Sequence, residues 1–441
     1  MPRELDKILF SYHQSDFKDR LEKISCKIER AAWFLLDDEE NRLAKVIDII
    51  REVQNRGDEA VSEFTEKFDR VKLTAGEFRV SNADLKQAHD EIDKNLLRSL
   101  RQAIKNVRKY QEEIFIGNNP DLSGHPGIQY TPIESVGICV PGASAPLPST
   151  VIMTAVPAQV AGVPRIVVVS PPRYQNSIKP VILAVCCELG IDEVYRIGGA
   201  QAVVALARGT ATISPVDKIV GPGNQWVQTA KREVFGIVGV DSIAGPSEVL
   251  IIANEKANPA WVAADMLSQA EHAPGSSLLF TDSQRLAENV LGELKKQVEQ
   301  LDRAKETIEC LKEYGGIAVF KTIDDVVYEA NDFAAEHLQI QCGEQSKKVA
   351  SLIRNAGAMF IGDYSPVAVG DYWAGPSHTL PTGGNAGFSS ALTSNDFIKS
   401  TSIIEYDKGK LAESAEDIIR LAEVEGLDAH AKSIRIRQQD L

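Results

Sequence analysis

Between residues 41 and 70, and again between 82 and 115, apolar side chains recur every three or four positions among many charges. That spacing predicts amphipathic helices laid over a core. From about residue 136 the pattern changes. Short β-branched runs (GICV at 137–140, RIVVVS at 165–170, EVYRI at 193–197, DKIV at 217–220) alternate with Ala-rich stretches such as STVIMTAVPAQVAG and AQAVVALARG. A second series follows, with EVLIIA at 248–253, SSLLFT at 276–281, GGIAVF at 315–320, LQIQC at 338–342 and GAMFIG at 357–362, each again separated by a helical stretch. Strands alternating with helices make βαβ units and parallel sheets, so two series predict two doubly wound α/β domains. In such folds ligands are expected at the carboxyl ends of the strands. Residues 363–390 become rich in Gly, Pro and Ser and read as one long loop. Its Tyr364, Tyr372, Trp373, Leu380 and Phe388 favour a functional loop over disorder. Residues 410–437 read as two helices, and no internal repeat is evident.

A chain of 441 residues exceeds one ordinary core, which agrees with two domains. The net charge of −14 disfavours a nucleic-acid partner, since two polyanions repel. No apolar run approaches the roughly 20 residues that span a bilayer, so no membrane role is expected. The first residues, MPRELDKILFSYHQSDF, lack the apolar core of a signal peptide and the acid-poor character of a transit peptide, and a cytoplasmic location is expected. The six cysteines form no CxxC pair and read as reduced, mostly buried thiols.

The seven histidines carry the chemical information. His13, His89 and His125 sit among polar residues and read as surface positions. His272 follows Gln269 by three positions, so both side chains fall on one face at the end of a helix that starts near Pro259. A Gln/His pair offers two metal ligands, although a histidine there can equally cap carbonyls. Glu336 and His337 are adjacent just before a strand and could act as general base and proton shuttle, or simply be a surface pair. Asp371 and His378 lie in GDYWAGPSHTLPTGG, a turn path that can aim polar groups into a cleft. His430 opens the last helix, with Glu425 five residues earlier. Two glycine turns, IGGAQA at 197–202 and VGPGN at 220–224, end strands and open helices as phosphate-binding turns do, yet neither is GxGxxG.

Taken together, VPGASAPLPSTVIM, GGAQA, VDKIVGPGN, AGPSEVLIIAN, SQAEH, AAEHLQI, GDYWAGPSHTLPT and EGLDAHAKS occur in the order found in histidinol dehydrogenases, and the chain closely resembles that family across residues 136–437. The resemblance implies two incomplete Rossmann-like domains with small N- and C-terminal helical segments. They are an arm at 1–26, a discontinuous α/β domain at 27–140 and 249–392, a second at 141–248, and a helical tail at 393–441. It implies NAD-dependent oxidation of L-histidinol through the aldehyde to L-histidine, the end of histidine biosynthesis, with two NAD+ consumed. By matching motif, zinc would be held by Gln269, His272, Asp371 and His430. Glu336 and His337 would be the acid–base pair. Substrate would meet Ser247, His378 and Glu425 together with His337 and the metal ligands, and NAD would meet Gln201 and Asn224. It also implies a homodimer with shared active sites, the tail reaching the partner. Cys139, Ala143 and Gly387 depart from the family's usual aromatic, Gly and Arg. They leave open a related zinc- and NAD-dependent dehydrogenase acting on another small polyol or sulfonate diol.

Overall fold

The computed structural model describes residues 2–32, 39–118, 127–142, 146–271 and 275–439. It divides into two compact units, Met1–Phe115 with Pro132–Phe397, and Ile116–Thr131 with Ile398–Leu441. The strands are β1 (Leu9–Ser11), β2 (Ile128–Pro132), β3 (Ser135–Cys139), β4 (Arg165–Val169), β5 (Glu193–Tyr195), β6 (Lys218–Val220), β7 (Gly239–Val240), β8 (Glu248–Ala253), β9 (Ser276–Thr281), β10 (Gly315–Val319), β11 (His337–Gln341), β12 (Ala358–Ile361) and β13 (Ile398–Ser402).

The first unit is built on two parallel sheets. One runs β5-β4-β3-β6-β7 and the other β1-β10-β9-β8-β11-β12. Each is doubly wound: from a middle strand (β3 or β8) the chain goes out to one side, then returns to the other, and β1 joins the larger sheet at its edge. The helices that predicted this wrap both faces. In β8, Val249 and Ile251 pack with Val262, Ala263 and Met266 of the helix Pro259–Ala270. Leu250 and Ile252 face the other way, towards Val326 and Ala330 of the helix Ile323–Phe333. Alternate residues thus enter opposite cores, and the strand must be apolar throughout. The edge strand β1 pairs with β10 and covers an edge that would otherwise be open.

Local chemistry sets the helix starts. Asn258 Oδ1 accepts the Ala260 N–H ahead of Pro259, and Ser81 and Asp93 cap Asn82–Glu91 and Lys94–Ile114 in the same way. The amphipathic segment expected at 41–70 is two helices, Glu39–Arg56 and Asp58–Asp69, burying Val46, Ile49, Val53, Val61 and Phe64. The second unit pairs β13 with β2 and adds the helices Lys408–Val424 and Asp428–Gln438, as the pattern at 410–437 predicts.

Two expectations need correction. The stretch 363–390 is not all loop, because Val367–Tyr372 forms a helix behind Pro366. His89 is not a surface residue: it is half-buried, and its Nε2 lies 2.7 Å from a Glu188 carboxylate oxygen. His125 and Ala143 lie outside the described residues. All six cysteines are free, with Cys139, Cys186, Cys310 and Cys342 buried. No helix is long and apolar enough to cross a membrane among the described residues.

Candidate active site

The first residues of β8 and β11, neighbouring strands in the larger sheet, bring Glu336 and His337 against Ser247 and Glu248. Glu336 and His337 are both buried. Glu336 Oε2 accepts the Ser247 hydroxyl at 2.7 Å and the Glu248 N–H at 2.8 Å. His337 Nδ1 lies 3.0 Å from the Glu248 carbonyl oxygen and 3.4 Å from Glu336 Oε2. A carbonyl can only accept, so Nδ1 carries the proton. His337 Nε2 is then the variable nitrogen. It is buried, has no hydrogen-bond partner among the described residues, and lies 3.8 Å from Asp371 Oδ1. Burial pulls the imidazole pKa down, but the Glu336 and Asp371 carboxylates and the Glu248 carbonyl outweigh it and leave it at about 9. His378, on the loop that follows the helix carrying Asp371, is pulled down by burial against the opposing pull of that carboxylate. His337, Asp371, His378 and Phe360 line a cavity of about 180 Å3.

This pair sits at the amino ends of its strands. The ligand crevice expected at carboxyl ends is found instead in the smaller sheet. There the segments after β3, β4, β5 and β6 enclose a cavity of about 560 Å3 at the point where the strand order reverses. Both predicted glycine turns open onto it, each leading into a helix, Gly199–Arg208 and Gln225–Val234. Gly221 takes φ +102°, and a Cβ there would lie 2.4 Å from the Cys139 carbonyl oxygen, so only glycine fits. The turn is pinned from behind. Asp241 Oδ2 accepts the Gly221 N–H at 2.7 Å, and the buried Lys231 pairs with Asp241 and reaches the Gly221 carbonyl at 3.2 Å. Gln201 lines the cavity, is completely buried, and neither its Oε1 nor its Nε2 has a partner among the described residues. Such an amide is costly unless a ligand satisfies it. Asn224 also lines the cavity, but its Oδ1 is already occupied as helix cap, accepting the Trp226 and Val227 N–H groups.

Of the residues considered for a metal, Gln269 ends the helix Pro259–Ala270, is buried, and has an unpartnered Nε2. Asp371 ends its short helix facing His337. Gln269 could ligate a cation through Oε1 and Asp371 through its carboxylate, both oxygen donors that zinc accepts; the unpartnered Nε2 is an N–H donor and ligates nothing. His272 lies outside the described residues, and no cluster of three or more His, Cys, Asp or Glu able to hold a metal occurs among the described residues. Glu425 and His430 belong to the second unit and are exposed there. At Gly387 an added Cβ would meet nothing within 4 Å, so the position that departs from the family's Arg has room for a side chain.

Two features escape sequence reading. Glu248 is a fully buried carboxyl at the head of an apolar strand. Gln339 and Gln341 follow His337 on the same face of β11, and both donate to Asp265 Oδ2, at 3.0 and 2.7 Å, beneath the helix that carries Gln269.

Comparison with known proteins decides the family. The histidinol dehydrogenase profile matches residues 36–438. The chain belongs to the histidinol dehydrogenase family. A histidinol dehydrogenase of Rhodopirellula baltica is 46% identical over 395 residues, covering 89% of this chain and 85% of its own. One from Bacillus subtilis is 44% identical over 407 residues, covering 91% and 94%. The crystal structure of the Elizabethkingia anophelis family member superposes with a TM-score of 0.85 at 33% identity, covering 92% of this chain and 96% of its own. As in that family, the chain is an α/β dehydrogenase of two doubly wound parts with small helical segments at its ends.

Proposed function

We propose that this chain oxidises L-histidinol through the aldehyde to L-histidine, transferring two hydrides to two NAD+. The observation that carries the reading is His337, held by the Glu248 carbonyl at one nitrogen and left bare and buried at the other, beside Glu336 and Asp371. His337 Nε2 takes the hydroxyl proton as hydride leaves the carbinol carbon. Glu336, with Oε2 committed to Ser247 and Glu248, keeps Oε1 to draw a proton from the water that attacks the aldehyde. Ser247 and His378 flank the pair and orient substrate. No cysteine joins this group, so the aldehyde is oxidised as its hydrate and not as a thiohemiacetal.

NAD would occupy the larger cavity, its pyrophosphate towards the two helix N-termini and Gln201 donating and accepting from its side. Gln269, His272, Asp371 and His430 would hold zinc, with Glu425 near the substrate. Bound there, zinc would supply positive charge and open coordination positions for the substrate's nitrogens. The tail that carries Glu425 and His430 would come from a second copy. Ile404, Leu421, Val424 and Ile436 of that unit are largely exposed, a surface that a homodimer would cover. A cytoplasmic biosynthetic enzyme, and a division of the chain near 1–26, 27–140 with 249–392, 141–248 and 393–441, belong to the same proposal.

Counting NADH formed per L-histidinol tests it. Two NADH per substrate are expected, with loss of turnover in His337→Ala. Turnover of another small alcohol but not histidinol would keep the site and replace the substrate. No NADH from any alcohol would overturn the reading.

A further inference from the structure

The Glu248 side chain has no part in the chemistry above, yet it joins three of the segments that carry it. Its Oε1 accepts two backbone N–H groups, from Glu336 at 3.1 Å and from Gly383 at 3.2 Å. Its own N–H donates to Glu336 Oε2, and its carbonyl accepts from His337 Nδ1. Glu248 and Glu336 therefore hold each other reciprocally, the side chain of each taking the other's backbone amide. Gly383 closes the loop that bears His378. One residue earlier, Thr382 Oγ1 accepts the Gly245 N–H at 2.6 Å, just ahead of β8. Three segments distant in sequence converge on this one side chain: the start of β8, the start of β11, and the Gly/Pro-rich loop.

We propose that Glu248 is a positioning residue that clamps the Glu336–His337 pair and the His378 loop in one register. This rests on the acid–base roles proposed above. Two carboxyls so close in a sealed site cannot both be charged without strong repulsion. Burial first, and then the charge of Glu336, raise Glu248 to about 8, so Glu248 is largely protonated at neutral pH. The remaining oxygen of Glu248, Oε2, is buried without a partner among the described residues, so Oε1 alone carries the clamp.

The test compares Glu248→Ala and Glu248→Asp with Glu248→Gln. Alanine removes the clamp, and aspartate is one methylene too short to hold both amides. Glutamine keeps the accepting oxygen and mimics the neutral acid. In Glu248→Ala, kcat is expected to fall about 10- to 100-fold, the scale of a small misplacement of reacting groups. The KM for NAD+ stays within about threefold, because neither Glu248 nor the residues it holds line the larger cavity. Glu248→Asp moves the same way, and Glu248→Gln rescues most of the turnover. Hydrogen exchange supplies a readout free of any assumed substrate: the peptides holding Glu336 and Gly383 exchange faster in Glu248→Ala and Glu248→Asp but not in Glu248→Gln. Unchanged protection in the alanine and aspartate variants overturns the clamp. So does a kcat loss in Glu248→Gln as large as in Glu248→Ala. A wild-type chain inert towards histidinol would overturn the functional reading instead, while the exchange data would still decide the clamp.

Discussion

Replacing Gln201 with Met should make the free protein more stable and a poorer NAD binder. Methionine matches glutamine in length and in helix propensity, so the helix Gly199–Arg208 loses nothing by the change. It removes a completely buried amide, neither end of which has a partner. Leaving such a group unsatisfied costs about 1–3 kcal/mol, so the substitution should recover about 1–2 kcal/mol in the free protein. With unfolding entropies near 2 cal/mol/K per residue, that raises the melting temperature of a unit this large by roughly 1–3 °C. In the complex the sign reverses. The lost hydrogen bonds weaken NAD by about 1–3 kcal/mol, a rise of roughly 5- to 150-fold in its dissociation constant. Thermal unfolding with and without NAD, together with the KM for NAD at saturating histidinol, measures both arms. A variant that melts below wild type alone and keeps the full NAD-induced shift would refute the reasoning, since Gln201 would then already be satisfied and the cofactor would lie elsewhere.

Lys231→Met leaves Asp241 buried without its cation and should cost about 3–5 kcal/mol in urea unfolding, with the further change Asp241→Asn recovering part of it. Wild-type stability after Lys231→Met would show that the pair does not pin the Gly221 turn. Glu248 keeps its proton up to about pH 8 when folded but loses it near its ordinary 4.5 when unfolded, so the native state binds more protons between those values. Its contribution is complete below about pH 4.5 and is lost as pH rises through about 8, which urea midpoints across that range will show as a declining slope that Glu248→Gln flattens. Dialysis against a chelator should abolish turnover and lower the melting temperature, with zinc restoring both. Full activity in metal-free protein would remove zinc from the proposal.

How much was legible in the sequence depended on whether burial was continuous. EVLIIA and SSLLFT begin and end where the sequence places them, because a parallel strand covered on both faces is apolar at every residue. EVYRI shortens to Glu193–Tyr195, since the chain turns towards Gly198 before the apolar run ends. The helix Val367–Tyr372 is too short to display a period and contains a glycine, so composition spoke for loop. Gln339 and Gln341 alternate with Leu338 and Ile340, the pattern of a half-exposed strand. Only the fold reveals Asp265 lying over them and making their burial tolerable. His89 was misread for the same reason: its partner Glu188 is remote in sequence.

The site follows from a difference between the two ends of a parallel strand that no motif states. The two sheets share one winding order, so a common rule placed a crevice at the carboxyl ends of both. The smaller sheet obeys it, because its glycine turns lead directly into helix N-termini, where backbone N–H groups and the helix dipole favour phosphate. In the larger sheet Glu336 and His337 sit at the opposite end. There the N–H groups of Glu248 and Glu336 are turned to each other's carboxyl oxygens, which hold both acids in place. A glutamate at the head of an apolar strand was the visible trace of this arrangement. It reads as a solvated strand start until a second carboxyl, brought in by β11, gives it something to hold.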